Sequence, residues 1–117
     1  MGLSRTRGAL RGFAEFSEDT TCAIAIAPPV FAVHTDRAAP TMEAFGVDGE
    51  LDLRRPAREV IKVLSKDIPA LDLGPPLEAA APHQALYFVY DGHWNAAGHA
   101  LVAEQLASFL DEAVIAP

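Results

Sequence analysis

Apolar positions recur along the chain with the helical period of three to four residues in three places. They mark residues 3–16, where arginines lie opposite the apolar side, residues 56–65, which begin with a proline, and residues 95–113. Asn95 is a favourable N-cap, so the sequence predicts that the last helix begins there. The apolar face of that helix is made of Val102, Leu106, Phe109, Leu110 and Ala113.

Two short apolar runs predict β-strands. Residues 20–27 carry no charge on either face, which is typical of a parallel strand that is covered on both sides. Pro28 and Pro29 end this run, because proline cannot donate to a strand ladder. Residues 68–73 predict a second parallel strand, which follows a turn at 66–67 and is ended by Gly74, Pro75 and Pro76.

The segments between these elements lack a clear period. Residues 30–55 are predicted to be a long loop, interrupted by Pro40, Gly46 and Gly49, with a short helix near 41–45. Residues 77–86 are predicted to be a loop with one helical turn at 77–80. The order helix, strand, loop, helix, strand, loop, helix predicts an α/β fold with a short parallel sheet.

Composition narrows the class of protein. The 117 residues suffice for one domain, and half of them are apolar, as in a folded chain. The net charge of −7 argues against a nucleic-acid partner or an anionic membrane surface, since both need a basic face. No apolar stretch approaches the roughly 20 residues that cross a membrane, and no apolar leader is visible, so a cytoplasmic location is the default expectation.

Asp91 and His93 are the candidate acid and base. They lie on a predicted turn before the capped helix, between Tyr90 and Trp94, which are expected to hold the turn in place. A carboxylate beside an imidazole fixes its tautomer and stabilises the imidazolium that forms when the ring takes a proton from a hydroxyl nucleophile. With one residue between them, the two side chains can lie on the same side of a turn.

Other interpretations of these residues stay open at this point. Asp91 can be a turn carboxylate favoured by the helix dipole, and His93 a surface histidine. A metal site formed with His99 is disfavoured, because the two histidines lack the i, i+4 spacing of a helical zinc pair. His99 is expected to be a partly buried structural residue. Trp94 either packs at the helix start or forms an aromatic lip on a substrate pocket.

The stretch 87–99, Tyr-Phe-Val-Tyr-Asp-Gly-His-Trp-Asn-Ala-Ala-Gly-His, resembles the last conserved block of the SGNH/GDSL hydrolase superfamily. The Asp-x-His-Trp-Asn pattern is similar to that of the alginate O-acetyltransferase-like branch. Residues 22–28 and 68–73 resemble the two strands that come before this block. The resemblance covers about residues 10–113, and its distinctive part is 87–99.

This resemblance implies a three-layer α/β/α, flavodoxin-like fold. It also implies ester hydrolysis or O-acyl transfer through a serine nucleophile, with no metal or other cofactor. By the family pattern, His93 is the general base and Asp91 its orienting acid. The implied substrate is an ester, such as an acetylated carbohydrate.

The sequence departs from the family at the nucleophile. The family's serine lies in a Gly-Asp-Ser-like block near the start of the domain, and its oxyanion donors are a glycine and an asparagine. No such block surrounds the four serines of this chain, which are Ser4, Ser17, Ser65 and Ser108. Asn95 is the only asparagine, and it is better used as a helix cap.

The expectation is therefore a single domain, residues 1–117, that corresponds to the C-terminal half of an SGNH hydrolase-like domain. It would keep the acid–base pair and lack the nucleophile. Half a sheet leaves an open strand edge, expected at residues 20–27, so self-association or pairing with the missing half is also expected. The alternative function is a catalytically inactive interaction or carbohydrate-binding module that retains the fold.

Overall fold

A computed structural model describes residues 2–64 and 68–115, so Ser65 and the turn predicted at 66–67 lie outside the described residues. The chain alternates helices with two short strands, which agrees with the predicted order of elements. The elements are α1 (Gly2–Phe16), a 3₁₀ turn (Ser17–Asp19), β1 (Ile24–Ile26), α2 (Val30–Val33), a 3₁₀ turn (Thr35–Arg37), α3 (Ala38–Ala44), α4 (Arg55–Leu64), β2 (Ala70–Asp72), α5 (Gly74–Ala80) and α6 (Ala96–Leu110), which continues into a π-helical turn (Asp111–Ile115).

Strands β1 and β2 form a parallel pair, as predicted, with Ile24 opposite Ala70 and Ile26 opposite Asp72. The ladder begins with the bond from Ile24 N to Pro69 O at 3.0 Å and ends with the bond from Leu73 N to Ile26 O at 3.1 Å. Both strands are shorter than the apolar runs that predicted them. Among the described residues the sheet has these two strands.

The prediction that β1 is covered on both faces is wrong. Ile24 and Ile26 are half-buried, whereas Ala25 is exposed. The absence of charge along this strand therefore did not reflect two covered faces.

The predicted loop at 30–55 is largely helical, which corrects the sequence analysis. It holds α2, a 3₁₀ turn and α3, and α3 extends well before the short helix that was expected near 41–45. Pro40 was taken to interrupt this segment, yet it lies in the first turn of α3, where a missing N–H costs little. The same reason explains α5, which begins at Gly74, so that Pro75 and Pro76 start a helix rather than precede a loop.

The main core lies between α2, α5, α6 and the segment that leads into α6. Its buried members are Val33, Leu73, Leu77, Leu86, Tyr87 and Val102. The predicted face of α6 is confirmed at Val102 and Leu106, whereas Leu110 is 38% exposed. None of the helices that the structure describes is both long enough and apolar enough to span a membrane.

Candidate active site

The candidate acid and base lie on a hairpin that connects α5 to α6. Its two arms meet at an isolated antiparallel bridge between Tyr87 and Trp94. Two bonds flank the bridge, from Phe88 N to His93 O and from Asn95 N to Leu86 O, both at 3.0 Å. The apolar run that enters the site is therefore one arm of a hairpin.

Tyr87 fixes the hairpin to the carboxyl end of the sheet. Its side chain is 2% exposed, and its hydroxyl donates to the carbonyl of Pro28 at 2.8 Å, two residues after β1. Burial raises the pKa of the Tyr87 phenol, and a hydrogen bond with Trp94 acts in the opposite direction. The hairpin thus lies where sites form in α/β sheets, beyond the carboxyl ends of the strands.

Of the two aromatic residues that flank the pair, Trp94 packs against the core and Tyr90 is exposed at the tip of the hairpin. Trp94 is half-buried against the core and meets the ring of His99 edge-on at 5.7 Å between centroids. The prediction that Tyr90 also holds the turn is wrong, since its side chain is fully exposed. His99 was expected to be partly buried, and it too is exposed. A role of Trp94 in substrate binding stays a prediction.

The capped start of α6 holds the other end of the hairpin. Asn95 Oδ1 accepts from Gly98 N at 3.0 Å, which confirms the predicted N-cap, and Asn95 Nδ2 donates to Ala85 O at 2.8 Å. Gly98 packs so closely on the hairpin that an added Cβ would lie 2.2 Å from Leu86 O. A glycine inside a helical pattern was the sequence signal for this contact.

Asp91 and His93 are in direct contact. Asp91 Oδ1 accepts from the His93 backbone N–H at 2.9 Å and also meets His93 Nδ1. A carboxylate can only accept, so Nδ1 carries a proton, and in the neutral form of the ring Nε2 keeps its lone pair. The hydrogen bond from the His93 backbone N–H is the main cause that lowers the pKa of the Asp91 carboxyl, and the bond from the His93 ring is the second. The His93 side chain is 85% exposed, so Nε2 is accessible to another molecule.

The described serines lie in other parts of the fold. Ser17 Oγ donates to Ala14 O at 2.8 Å, after α1. Ser108 lies 13 residues beyond the N-cap of α6, which places it about 20 Å along the helix axis. Ser17 and Ser108 are therefore not placed to meet His93, and Ser4 lies on α1, the helix that packs against α4.

His34 and Arg37 contact the hairpin from the segment after α2, and the sequence analysis missed both. His34 Nε2 accepts from Leu86 N at 3.3 Å, and its ring meets Tyr87 edge-on at 5.9 Å. Arg37 Nη1 donates to Phe88 O at 3.0 Å. These contacts join residues more than 50 positions apart, so no local pattern could have indicated them.

A separate groove of about 580 Å³ lies beside α2 and α5. Its charged residues include Arg54, which pairs with Asp72 and with Glu78 at 2.6 Å each. Neither Asp91 nor His93 lines this groove. In the part of the chain that the structure describes, no group of three or more His, Cys, Asp or Glu residues could hold a metal ion.

The Asp-x-His turn lies at the carboxyl end of parallel strands and between two helices. This arrangement is the one expected of an SGNH hydrolase-like protein. The chain belongs to the family described as the SGNH hydrolase-like domain of the acetyltransferase AlgX, whose sequence model matches residues 17–116. This match confirms the resemblance that the stretch 87–99 indicated. Comparisons with curated proteins and with solved structures gave no match.

Proposed function

We propose that Asp91 and His93 are the acid–base pair of a site for O-acyl transfer or ester hydrolysis. The observation that supports this most is the contact between Asp91 Oδ1 and His93 Nδ1, on a hairpin held at Pro28 and at the N-cap of α6. It presents Nε2 as a base, and the carboxylate would stabilise the imidazolium that forms. Membership of the acetyltransferase family favours acyl transfer.

The proposed step begins when a hydroxyl oxygen attacks the carbonyl carbon of an ester and gives its proton to His93 Nε2. The tetrahedral intermediate then collapses, and the oxygen of the leaving alcohol takes the proton from His93 Nε2. The acyl group remains on the attacking oxygen. We propose that this hydroxyl comes from outside residues 2–64 and 68–115. The complete site would then be assembled on a three-layer α/β/α fold in which β1 and β2 are neighbouring strands.

A soluble alcohol can replace the serine in a test of the pair. The chain is incubated with 4-nitrophenyl acetate and methanol, and formation of methyl acetate is measured. The chain should exceed the buffer rate several-fold, well below the roughly 10²–10⁴-fold of a positioned general base, because methanol is not held in place. His93→Gln and Asp91→Asn should both remove this excess.

The exposed His83, which follows α5, provides the matched control. Any exposed imidazole reacts weakly with activated esters, so His83→Gln measures that contribution. The proposal predicts that His83→Gln loses only this weak contribution. A loss in His83→Gln as large as that in His93→Gln, or an unchanged rate in Asp91→Asn, would contradict the proposed pair.

A fluorophosphonate probe tests where the nucleophile lies. We expect no labelling at Ser4, Ser17 or Ser108, because the attacking hydroxyl is proposed to come from outside the described residues. Labelling at one of these three serines that disappears in His93→Gln would show that this serine completes the site, in the same chain or in a second copy. That result would overturn the external origin of the hydroxyl and leave the acid–base pair in place.

A second candidate function is a binding module without turnover. It is favoured by the exposed apolar tip of the hairpin, where Phe88, Val89 and Tyr90 are 53%, 69% and 101% exposed. Such a module would bind an acetylated oligosaccharide in a titration by NMR. Binding that survives His93→Gln and is lost in Tyr90→Ser would favour the module, whereas loss in His93→Gln would favour the acyl-transfer site.

A further inference from the structure

The two residue pairs beside the Tyr87–Trp94 bridge each form one backbone hydrogen bond of the two that a regular antiparallel ladder would have. Next to a non-hydrogen-bonded pair such as Tyr87 and Trp94, the residues opposite each other normally exchange two N–H···O=C bonds. Phe88 and His93 are such a pair, and the bond from Phe88 N to His93 O is formed at 3.0 Å. Its reciprocal would run from His93 N to Phe88 O.

Both groups of that reciprocal bond have other partners. The His93 N–H donates to Asp91 Oδ1 at 2.9 Å, and Phe88 O accepts from Arg37 Nη1 at 3.0 Å. Each replacement bond has one charged partner, and charge-assisted hydrogen bonds are roughly twice as strong as neutral ones. Two stronger bonds therefore take the place of one neutral ladder bond.

We propose that Arg37 is a positioning residue for the Asp91–His93 pair. Its guanidinium takes one lone pair of the Phe88 oxygen and so disfavours the ladder bond. The His93 N–H is then left to hold the Asp91 carboxylate beside the imidazole. The consequence for catalysis rests on the function proposed above for that pair. The structural part, a competition between Phe88 O and Asp91 Oδ1 for one N–H, stands independently of it.

The next pair along the hairpin shows the same substitution of partners. Asn95 N donates to Leu86 O at 3.0 Å, whereas Leu86 N donates to His34 Nε2 at 3.3 Å. The carbonyl of Asn95 accepts instead from His99 N at 2.9 Å, inside α6. One short segment, from His34 to Arg37, thus supplies the partners of the Leu86 N–H and the Phe88 carbonyl, which have no bond across the hairpin.

The test is an NMR titration of the Asp91 side-chain carboxyl in the full chain. In Arg37→Met, Phe88 O can recapture the His93 N–H, so the Asp91 midpoint should rise toward the ordinary aspartate value. The His93 amide proton should shift at the same time. Arg37→Lys, which keeps a charged donor, should restore much of the wild-type midpoint.

The exposed Arg55, near the start of α4, gives the matched control, and Arg55→Met should leave the midpoint unchanged. A wild-type Asp91 midpoint in folded Arg37→Met would overturn the proposal. If that variant does not fold, the same comparison is made with Arg37→Gln, where an unchanged midpoint likewise overturns it and a raised one supports it.

The titration needs no ester, so its result is distinguishable from a failure of the proposed function. In the methanol assay, Arg37→Met should lose part of the excess rate and Arg37→Lys should regain part of it. A raised Asp91 midpoint with no catalysis in any variant would keep the positioning role and remove the acyl-transfer function.

Discussion

Replacing Gly98 with alanine should weaken the junction between the hairpin and α6. The new Cβ would lie 2.2 Å from Leu86 O and 2.9 Å from Trp94 Cβ. A carbon normally stays about 3.3 Å or more from a carbonyl oxygen, so the hairpin must move away by about 1 Å. That movement would strain the bond from Asn95 N to Leu86 O, which closes the hairpin at 3.0 Å.

The size of the effect follows from three contributions. Overpacking a rigid contact costs about 1–3 kcal/mol. Loss of the Asn95–Leu86 bond adds about 0.5–1.5 kcal/mol. The better helix propensity of alanine returns up to about 1 kcal/mol. The free energy of unfolding should therefore fall by about 0.5–3.5 kcal/mol, centred on about 2 kcal/mol, since backbone atoms of Leu86 cannot yield as a flexible side chain would.

Urea denaturation followed by circular dichroism measures this change. With a slope of about 2 kcal/mol per molar urea, the midpoint should fall by about 1 M. Gly12→Ala in α1 is the matched control, because its new Cβ meets nothing within 4 Å, and it should stabilise the chain by up to about 1 kcal/mol. A Gly98→Ala midpoint equal to that of the wild type would refute the reasoning.

Three further predictions concern the cap, the acid and the sheet edge. Asn95→Ala removes the cap bond to Gly98 N and should lower the free energy of unfolding by about 0.5–2 kcal/mol; an unchanged urea midpoint would contradict this. The folded-state pKa of Asp91 is lowered, so its contribution to stability is complete above the unfolded pKa and is lost as the pH falls through the folded pKa. The NMR shift of the Asp91 side-chain carboxyl should therefore titrate below the ordinary aspartate range, and the hairpin amide changes that accompany this step should be absent in Asp91→Asn; a carboxyl midpoint at or above the ordinary aspartate value would argue against it. Ile24 and Ile26 bond to β2, so the amide groups of exposed Ala25 face the other edge of β1, and the chain should associate in light scattering unless Ala25→Lys blocks the edge; a monomeric wild type would count against this.

Much of the candidate site follows from short-range chemistry. Asp91 and His93 are two residues apart, so an aspartate side chain that accepts from the N–H two positions on also brings the ring to the same oxygen. Asn95 caps the helix three residues before Gly98 by an equally local bond. Apolar period and proline position likewise predicted α1, α4, α6 and both strands.

Proline position also produced the principal errors. Pro40, Pro75 and Pro76 were taken as breaks, whereas each lies in the first turn of a helix. A proline gives the same local sequence signal before a loop and at a helix start, because the N–H groups of a first helical turn have no intrahelical bond to lose. Packing of α2 and α5 around Val33 and Leu77 decides between the two.

From the sequence alone follow the capped α6, the placement of Asp91 and His93 on one turn where they can meet, and the family to which the stretch 87–99 belongs. These depend on residues a few positions apart, whose geometry the backbone sets. Only the tertiary structure decided that Tyr90 faces solvent, that Gly98 touches Leu86 and that Arg37 holds Phe88. The contacts of Gly98 and Arg37 join segments that are distant in the chain, and the exposure of Tyr90 reflects how the hairpin docks, so each depends on the folded arrangement of α2, the hairpin and α6.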